Sequence, residues 1–172
     1  MLELMAAKQS AEKKIILVGN PNVGKSVVFN ALTGAYTTVS NYPGTSVEVA
    51  RGHCHLDGER YLVLDTPGMY SLLSITEEER VARRILLEED PHLILHVIDA
   101  RNLDRMLPMT LQLIEAGLPV VLLVNIMDEA ERLGMSIDIK LLQEKLGVTV
   151  VGASIGRKRG LSKLHQAITQ YR

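Results

Sequence analysis

Apolar residues run unbroken through Ile15-Ile16-Leu17-Val18, and nearly so through Leu93 to Ile98, Pro119 to Val124 and Val148 to Val151. Short apolar runs without polar alternation mark strands covered on both faces, as in a parallel sheet. Between them the spacing changes. Leu103, Leu107, Leu111 and Ile114 fall on one face of a helix that Gly117 ends, with Pro108 expected to kink or delay its first turn. Leu161, Leu164 and Ile168 line a last helix. Thr76 with Glu79 forms a capping box for a helix that Pro91 stops, and Asp138 caps another through Leu146, with Gly147 past its end. Val47 to Leu56 and Glu59 to Leu64 alternate about Asp57-Gly58, the signal of a hairpin. Residues 35–46 show no period and read as a polar loop. A loop of that length in a compact domain is usually functional.

This order predicts a three-layer α/β/α sandwich, a mostly parallel sheet of six strands with ligands bound at the strands' carboxyl ends. Residues 1–12 read as a tail or frayed helix and 13–172 as one domain, with no internal repeat.

Composition narrows the class. A chain of 172 residues, 47% hydrophobic and 23% charged, fills one globular core. A net charge of −1 leaves no basic surface of nucleic-acid size, so no nucleic-acid partner is expected. The single cysteine, Cys54, excludes an internal disulfide and suits a reducing compartment. No apolar run approaches the ~20 residues that span a bilayer.

The candidate chemistry lies in the loops that follow the strands. Gly19-Asn20-Pro21-Asn22-Val23-Gly24-Lys25-Ser26 reads G-x-x-x-x-G-K-[ST], between an apolar strand and a helical run that opens at Val27. Such a loop points backbone N–H groups and a helix N-terminus at phosphates. Gly24 admits the backbone close to them, Lys25 reaches the β- and γ-phosphates, and Ser26 offers a hydroxyl to Mg²⁺. Asp65-Thr66-Pro67-Gly68 is D-x-x-G at a strand end: the carboxylate suits Mg²⁺ and the Gly68 N–H suits a γ-phosphate. Asn125-Ile126-Met127-Asp128 is N-x-x-D. A carboxylate there accepts from guanine N1–H and its exocyclic amine, donors that adenine lacks on that edge. Asn125 would brace neighbouring loops, and the plainer role for Asp128 is a helix cap. The N–H groups of Ala153-Ser154-Ile155 are placed for guanine O6. In the 35–46 loop, Gly44 sits beside Thr45 and Ser46, whose hydroxyls can complete Mg²⁺ coordination in a segment that closes on a γ-phosphate.

In this order the motifs resemble the translation-factor-related branch of the Ras-like GTPases, over about Lys13 to Arg172. Three stretches narrow the resemblance to ferrous iron transport protein B (FeoB). Asn41-Tyr42-Pro43-Gly44-Thr45-Ser46-Val47-Glu48 is similar to that family's N-x-x-G-x-T-V-E switch. Asp65 to Leu72 is similar to D-x-P-G-x-Y-S-L, and Asp99 to Arg105 to D-A-x-N-L-x-R. The family's switch threonine falls on Ser46, with Thr45 beside it.

The resemblance implies a GTP- and GDP-binding G domain that hydrolyses GTP and regulates ferrous iron transport at the cytoplasmic face of a bacterial or archaeal membrane. It also implies a helical domain and a membrane permease part in the same polypeptide, so the chain is expected to be a piece of a longer protein or a free-standing relative. Met69 stands where many relatives place a water-orienting Gln, and Asn22 matches the asparagine that holds K⁺ in cation-dependent GTPases. Lys25, Asn22 and Gly68 are therefore the expected catalytic groups, with Mg²⁺ and K⁺ as cofactors. The alternatives are a GTPase of ribosome or tRNA maturation and a guanine-nucleotide sensor that does not hydrolyse.

Other residues invite chemistry without supporting it. His53, Cys54 and His55 share a strand, so neighbours face opposite ways and cannot bind one metal together. Glu77-Glu78-Glu79 suits a helix start, and Arg157-Lys158-Arg159 reads as a solvated loop beside the base site. His92, His96 and His165 have no partner evident in the sequence.

Overall fold

The computed structural model describes residues 12–34 and 36–172. The expected tail therefore lies, except for Glu12, outside the described residues. Among the described residues seven strands form one sheet: β1 (Lys13–Val18), β2 (Thr37–Asn41), β3 (Glu48–Leu56), β4 (Glu59–Asp65), β5 (Leu93–Asp99), β6 (Val120–Asn125) and β7 (Val150–Gly152). Their spatial order is β2-β3-β4-β1-β5-β6-β7. β4, β1, β5, β6 and β7 are parallel, and at one side β3 runs antiparallel to both of its neighbours, β4 and β2.

The expected count of six strands is corrected by β2, which lies inside the stretch read as loop. All five of its residues are exposed, so Thr37 to Asn41 show no inside–outside alternation. β-branched Thr and Val and a five-pair ladder to β3 make the strand without a hydrophobic pattern to announce it.

Among the described residues six helices cover the sheet: α1 (Lys25–Thr33), α2 (Glu77–Glu88), α3 (Leu103–Glu115), α4 (Met127–Arg132), α5 (Ile139–Leu146) and α6 (Leu161–Gln170). Successive residues of β1 feed opposite layers. Ile15 and Leu17 pack with Phe29 of α1 and Leu164 of α6; Ile16 and Val18 pack with Ile85 of α2 and Leu113 of α3. A third cluster joins Leu122 and Val124 to α4 and α5. The capping box forms, with Glu79 N–H on the Thr76 hydroxyl at 3.1 Å and the Glu79 carboxylate accepting from Thr76 N–H at 3.2 Å. Pro108 lies inside α3, and the irregular part is a 3₁₀ turn, Ala100–Asn102, ahead of it. No helix among the described residues is long and apolar enough to cross a membrane.

His96 sits at the centre of this core, fully buried on β5, with Nδ1 3.0 Å from the Thr110 hydroxyl on α3. Burial pushes its imidazole from the ordinary 6.5 down to about 3. Below pH 6.5 the unfolded chain therefore takes up a proton that the folded chain refuses, and stability falls as pH falls through that window. At pH 5 this amounts to about 2 kcal/mol. Urea unfolding at pH 7.5 and pH 5 should show a loss of stability that is smaller by about that amount in His96→Leu than in the parent; equal losses would refute the assignment.

Candidate functional site

The loops after β1, β4, β6 and β7 meet at one end of the sheet and enclose two adjoining cavities. One, about 300 Å³, is formed by the 20–27 loop and Gly68; the other, about 360 Å³, lies between that loop, the start of α4 and residues 154–157. Asn22, Gly24 and Val27 border both, so the two form one cleft. Its size suits a nucleotide, with the smaller chamber at the phosphate loop.

The phosphate loop owes its shape to close approach. Gly24 has φ +84°, and a Cβ on it would lie 2.5 Å from Asn125 Nδ2. That amide nitrogen donates to the Val23 carbonyl at 3.1 Å, and Asn125 Oδ1 accepts from the Ile155 N–H at 3.1 Å. One buried side chain thus ties together the loops after β1, β6 and β7. Val23 itself is buried in the core and lines neither chamber.

At the opposite side of the loop, the Lys25 ammonium pairs with Asp65 Oδ1 at 2.5 Å and donates to the Thr66 carbonyl. Both charged side chains are largely shielded, 12% and 14% exposed. The Thr66 hydroxyl faces away from the cleft and donates to the Leu17 carbonyl at 2.7 Å. Gly68 packs against Pro21, where a Cβ would lie 2.8 Å from the Pro21 ring. Met69 is fully buried in the core, its N–H on the Gly19 carbonyl at 3.0 Å, and places no side chain at the cleft.

At the wide end of the cleft, Ile126 holds φ +63°, an unusual conformation for a β-branched residue. Two bonds fix the turn: Met127 N–H to the Ala153 carbonyl at 3.1 Å, and Asp128 N–H to the Ser154 hydroxyl at 2.9 Å. The helix cap position falls on Ile126, so Asp128 is not the cap of α4. Its carboxyl lies below the usual range. Burial pushes it up, but the Ser154 hydroxyl, nearby backbone N–H groups and Arg157 outweigh that push.

A match to the family model described as ferrous iron transport protein B spans residues 13–168. The chain belongs to that family. It is 35% identical over 165 residues to the Fe(2+) transporter FeoB of Synechocystis sp., covering 96% of this chain and 27% of that one. The FeoB G-domain of Methanococcus jannaschii superposes with a TM-score of 0.81 at 41% identity, over 92% of this chain and 96% of the other. The cytosolic domain of T. maritima FeoB in a GDP form superposes with a TM-score of 0.88 at 39% identity, over 93% of this chain and 63% of that one. The chain therefore spans about a quarter of the curated transporter and nearly the whole of a solved FeoB G domain.

Measured against the sequence, the cleft gathers Asn20, Pro21, Asn22, Gly24, Lys25, Ser26, Val27, Gly68, Asn125, Ile126, Asp128, Ser154 and Ile155. One expectation needs correction, and one group of expected residues stands apart from the cleft in this structure. The N–H groups of Ala153, Ser154 and Ile155 are bonded within the protein, to the Val124 carbonyl, the Arg159 carbonyl and Asn125 Oδ1. The Gly156 N–H makes no hydrogen bond among the described residues, and Gly156 borders the base cavity, so it is the donor available there. Gly44, Thr45 and Ser46 do not line either chamber. They occupy the β2–β3 turn, where the Thr45 hydroxyl donates to the Tyr42 carbonyl at 2.8 Å and accepts from Val47 N–H at 3.2 Å.

Glu129 and Arg157 also border the base cavity; helix spacing and the basic run gave no reason to choose them. The D-A-x-N-L-x-R stretch forms a buttress beside it: the Arg101 guanidinium grips the buried Asp99 carboxylate at 2.7–3.2 Å. Outside the cleft, Cys54 is buried, while His53 pairs with Glu12 at 3.0 Å on the other face of β3.

Removing the central amide tests this arrangement. Asn125→Ala leaves the Val23 carbonyl and Ile155 N–H without their partner, and should lower stability by about 2–4 kcal/mol in urea unfolding. A change below about 0.5 kcal/mol would show that water replaces both bonds.

Proposed function

We propose that this chain is a guanine-nucleotide-binding domain that hydrolyses GTP and, within a longer FeoB-type polypeptide at the cytoplasmic face of a membrane, regulates ferrous iron transport. The observation that carries the reading is the pairing of a phosphate loop with an ionised Asp128 at the far end of one cleft. The geometry supports guanine specifically: Asp128 presents two acceptor oxygens and the Gly156 N–H a donor, the complement of guanine N1–H, exocyclic amine and O6. Adenine would leave the carboxylate buried without donors.

Lys25 and the loop N–H groups would take the β- and γ-phosphates. Lys25 then exchanges the Asp65 carboxylate for phosphate oxygens, which frees Asp65 for a metal. Ser26 and Asp65 are the groups that would hold Mg²⁺, an ion that neutralises charge between the β- and γ-phosphates; Ser26 is exposed and its hydroxyl makes no bond among the described residues. Ser46 is the better candidate for the third ligand, because the Thr45 hydroxyl is engaged at both its donor and acceptor sides within the turn. Attack is in line by water on the γ-phosphorus, with the Gly68 N–H and Lys25 facing the growing charge.

Asn22 is the residue that would hold K⁺. It adopts φ +67°, borders both chambers, and its side chain makes no hydrogen bond among the described residues. A cation there supplies charge where other GTPases use an arginine. The second reading, a nucleotide sensor that barely hydrolyses, is favoured by one observation: Met69 is buried and cannot guide a water molecule.

Two measurements test base recognition and, separately, hydrolysis against sensing. Asp128→Asn should weaken GDP binding by at least tenfold and improve binding of xanthosine diphosphate, which carries an acceptor in place of the guanine amine; unchanged GDP affinity would remove Asp128 from base recognition. Phosphate release with Mg²⁺ and GTP should be at least tenfold faster in K⁺ than in Na⁺ at equal ionic strength. Asn22→Ala should lose that difference while still binding GDP, and Lys25→Ala should lose nucleotide binding. Equal, slow rates in both salts would favour the sensor.

A further inference from the structure

From Tyr36 to Ser46 the one fully buried residue is Tyr42, 5% exposed. Its ring enters the cluster formed by Val47, Val49, Leu64, Met69 and Val81. Its hydroxyl donates to Glu89 Oε1 at 3.1 Å, just past the end of α2, and the Lys14 ammonium holds the other Glu89 oxygen at 2.9 Å. Arg84 of α2 lies over the ring at 5.3 Å. The segment is otherwise held by the β2–β3 ladder and by the Thr45 turn, with Val47 C=O accepting from Tyr42 N–H at 2.8 Å. β2 is exposed on all five residues, so peeling it from β3 uncovers little apolar surface and leaves backbone groups that water can satisfy. Undocking Tyr42 is the costly step.

We propose that Tyr42 is the positioning residue of the switch segment: docked on α2 and bonded to Glu89, it holds Ser46 outside the phosphate chamber, and its release sets how readily Ser46 joins a bound Mg²⁺–GTP. The proposal rests on the GTP reading given above. It adds a physical link between the switch segment and the far end of α2, through a carboxylate that Lys14 on β1 keeps ionised. The same cluster contains Met69, the residue after Gly68.

Tyr42→Phe removes the hydroxyl and keeps the ring; Glu89→Ala removes its acceptor. In each, affinity for a non-hydrolysable GTP analogue with Mg²⁺ should rise about fivefold, the equivalent of one net hydrogen bond. GDP affinity should stay unchanged, since a diphosphate offers Ser46 nothing to reach. The double variant should gain no more than either single change, because both break the same bond. Amide exchange at Thr37 to Asn41 in the GDP complex should also quicken. An unchanged ratio of analogue to GDP affinity in both variants, equal shifts for both nucleotides, or additive effects in the double variant would overturn the proposal. A parent protein that binds neither nucleotide would overturn the reading beneath it, and the proposal with it.

Discussion

The cleft depends on the side chain of Asn125. Three loops from three strands converge at that point, and none carries a regular hydrogen-bond ladder of its own. An amide offers a donor and an acceptor on one planar group, which is what two loops presenting one carbonyl and one N–H require. The bonds at 3.1 Å to Val23 and Ile155 are buried, so water competes poorly for them. The same closeness makes Gly24 obligatory, since a Cβ there would collide with the Asn125 amide. Aspartate in place of Asn125 would lose the donor, and leucine would lose both partners. The phosphate chamber and the base chamber therefore keep their relative position through one residue.

Around that brace, charge is balanced locally. Lys25 and Asp65 neutralise each other beneath the phosphate loop, and Arg101 neutralises the buried Asp99 beside Asn125. The two pairs differ in what can replace them. Asp99 is gripped by the full fork of a guanidinium and lies at the end of β5, outside both chambers, so it is a fixed part of the wall. Lys25, which lines the phosphate chamber, meets Asp65 through a single ammonium–carboxylate contact. A polyphosphate and a divalent cation offer each of them a better partner without leaving either charge bare, which is how a shielded pair can open at little cost.

Much of this was legible in the chain because parallel strands announce themselves and place their loops at one end. Apolar runs located four of the five parallel strands and the hairpin signal located β4, and each chemical motif began within a residue or two of a strand's end. What stayed hidden was of two kinds. β2 has water on both faces, so no alternation marks Thr37 to Asn41, and the sheet count came out one short. The occupancy of backbone N–H groups was also invisible: Ala153, Ser154 and Ile155 look like free donors in sequence, but each finds a partner only through the packing of β6, Asn125 and the 154–159 turn. The Thr66 hydroxyl is likewise already engaged, closing onto β1. Spacing tells which side chains arrive at a site; it does not tell which of their hydrogen bonds are already made.

The two sides of the cleft also differ in how far they can move. The base side and the phosphate loop are backed by strands whose residues are almost all buried, and the strained turn at Ile126 persists because bonds to Ala153 and Ser154 leave it no easy alternative. Displacing either would disrupt packing across the sheet. The switch side is an edge hairpin with a solvent-exposed strand and one buried aromatic anchor. Local opening is drawn from regions with few buried apolar contacts and exposed backbone bonds, and the hairpin meets both conditions. A nucleotide bound in this cleft would therefore meet a rigid wall at its base and inner phosphates. On the switch side it would meet a segment, the one that carries Ser46, whose exposed strand and single buried anchor leave it freer to respond.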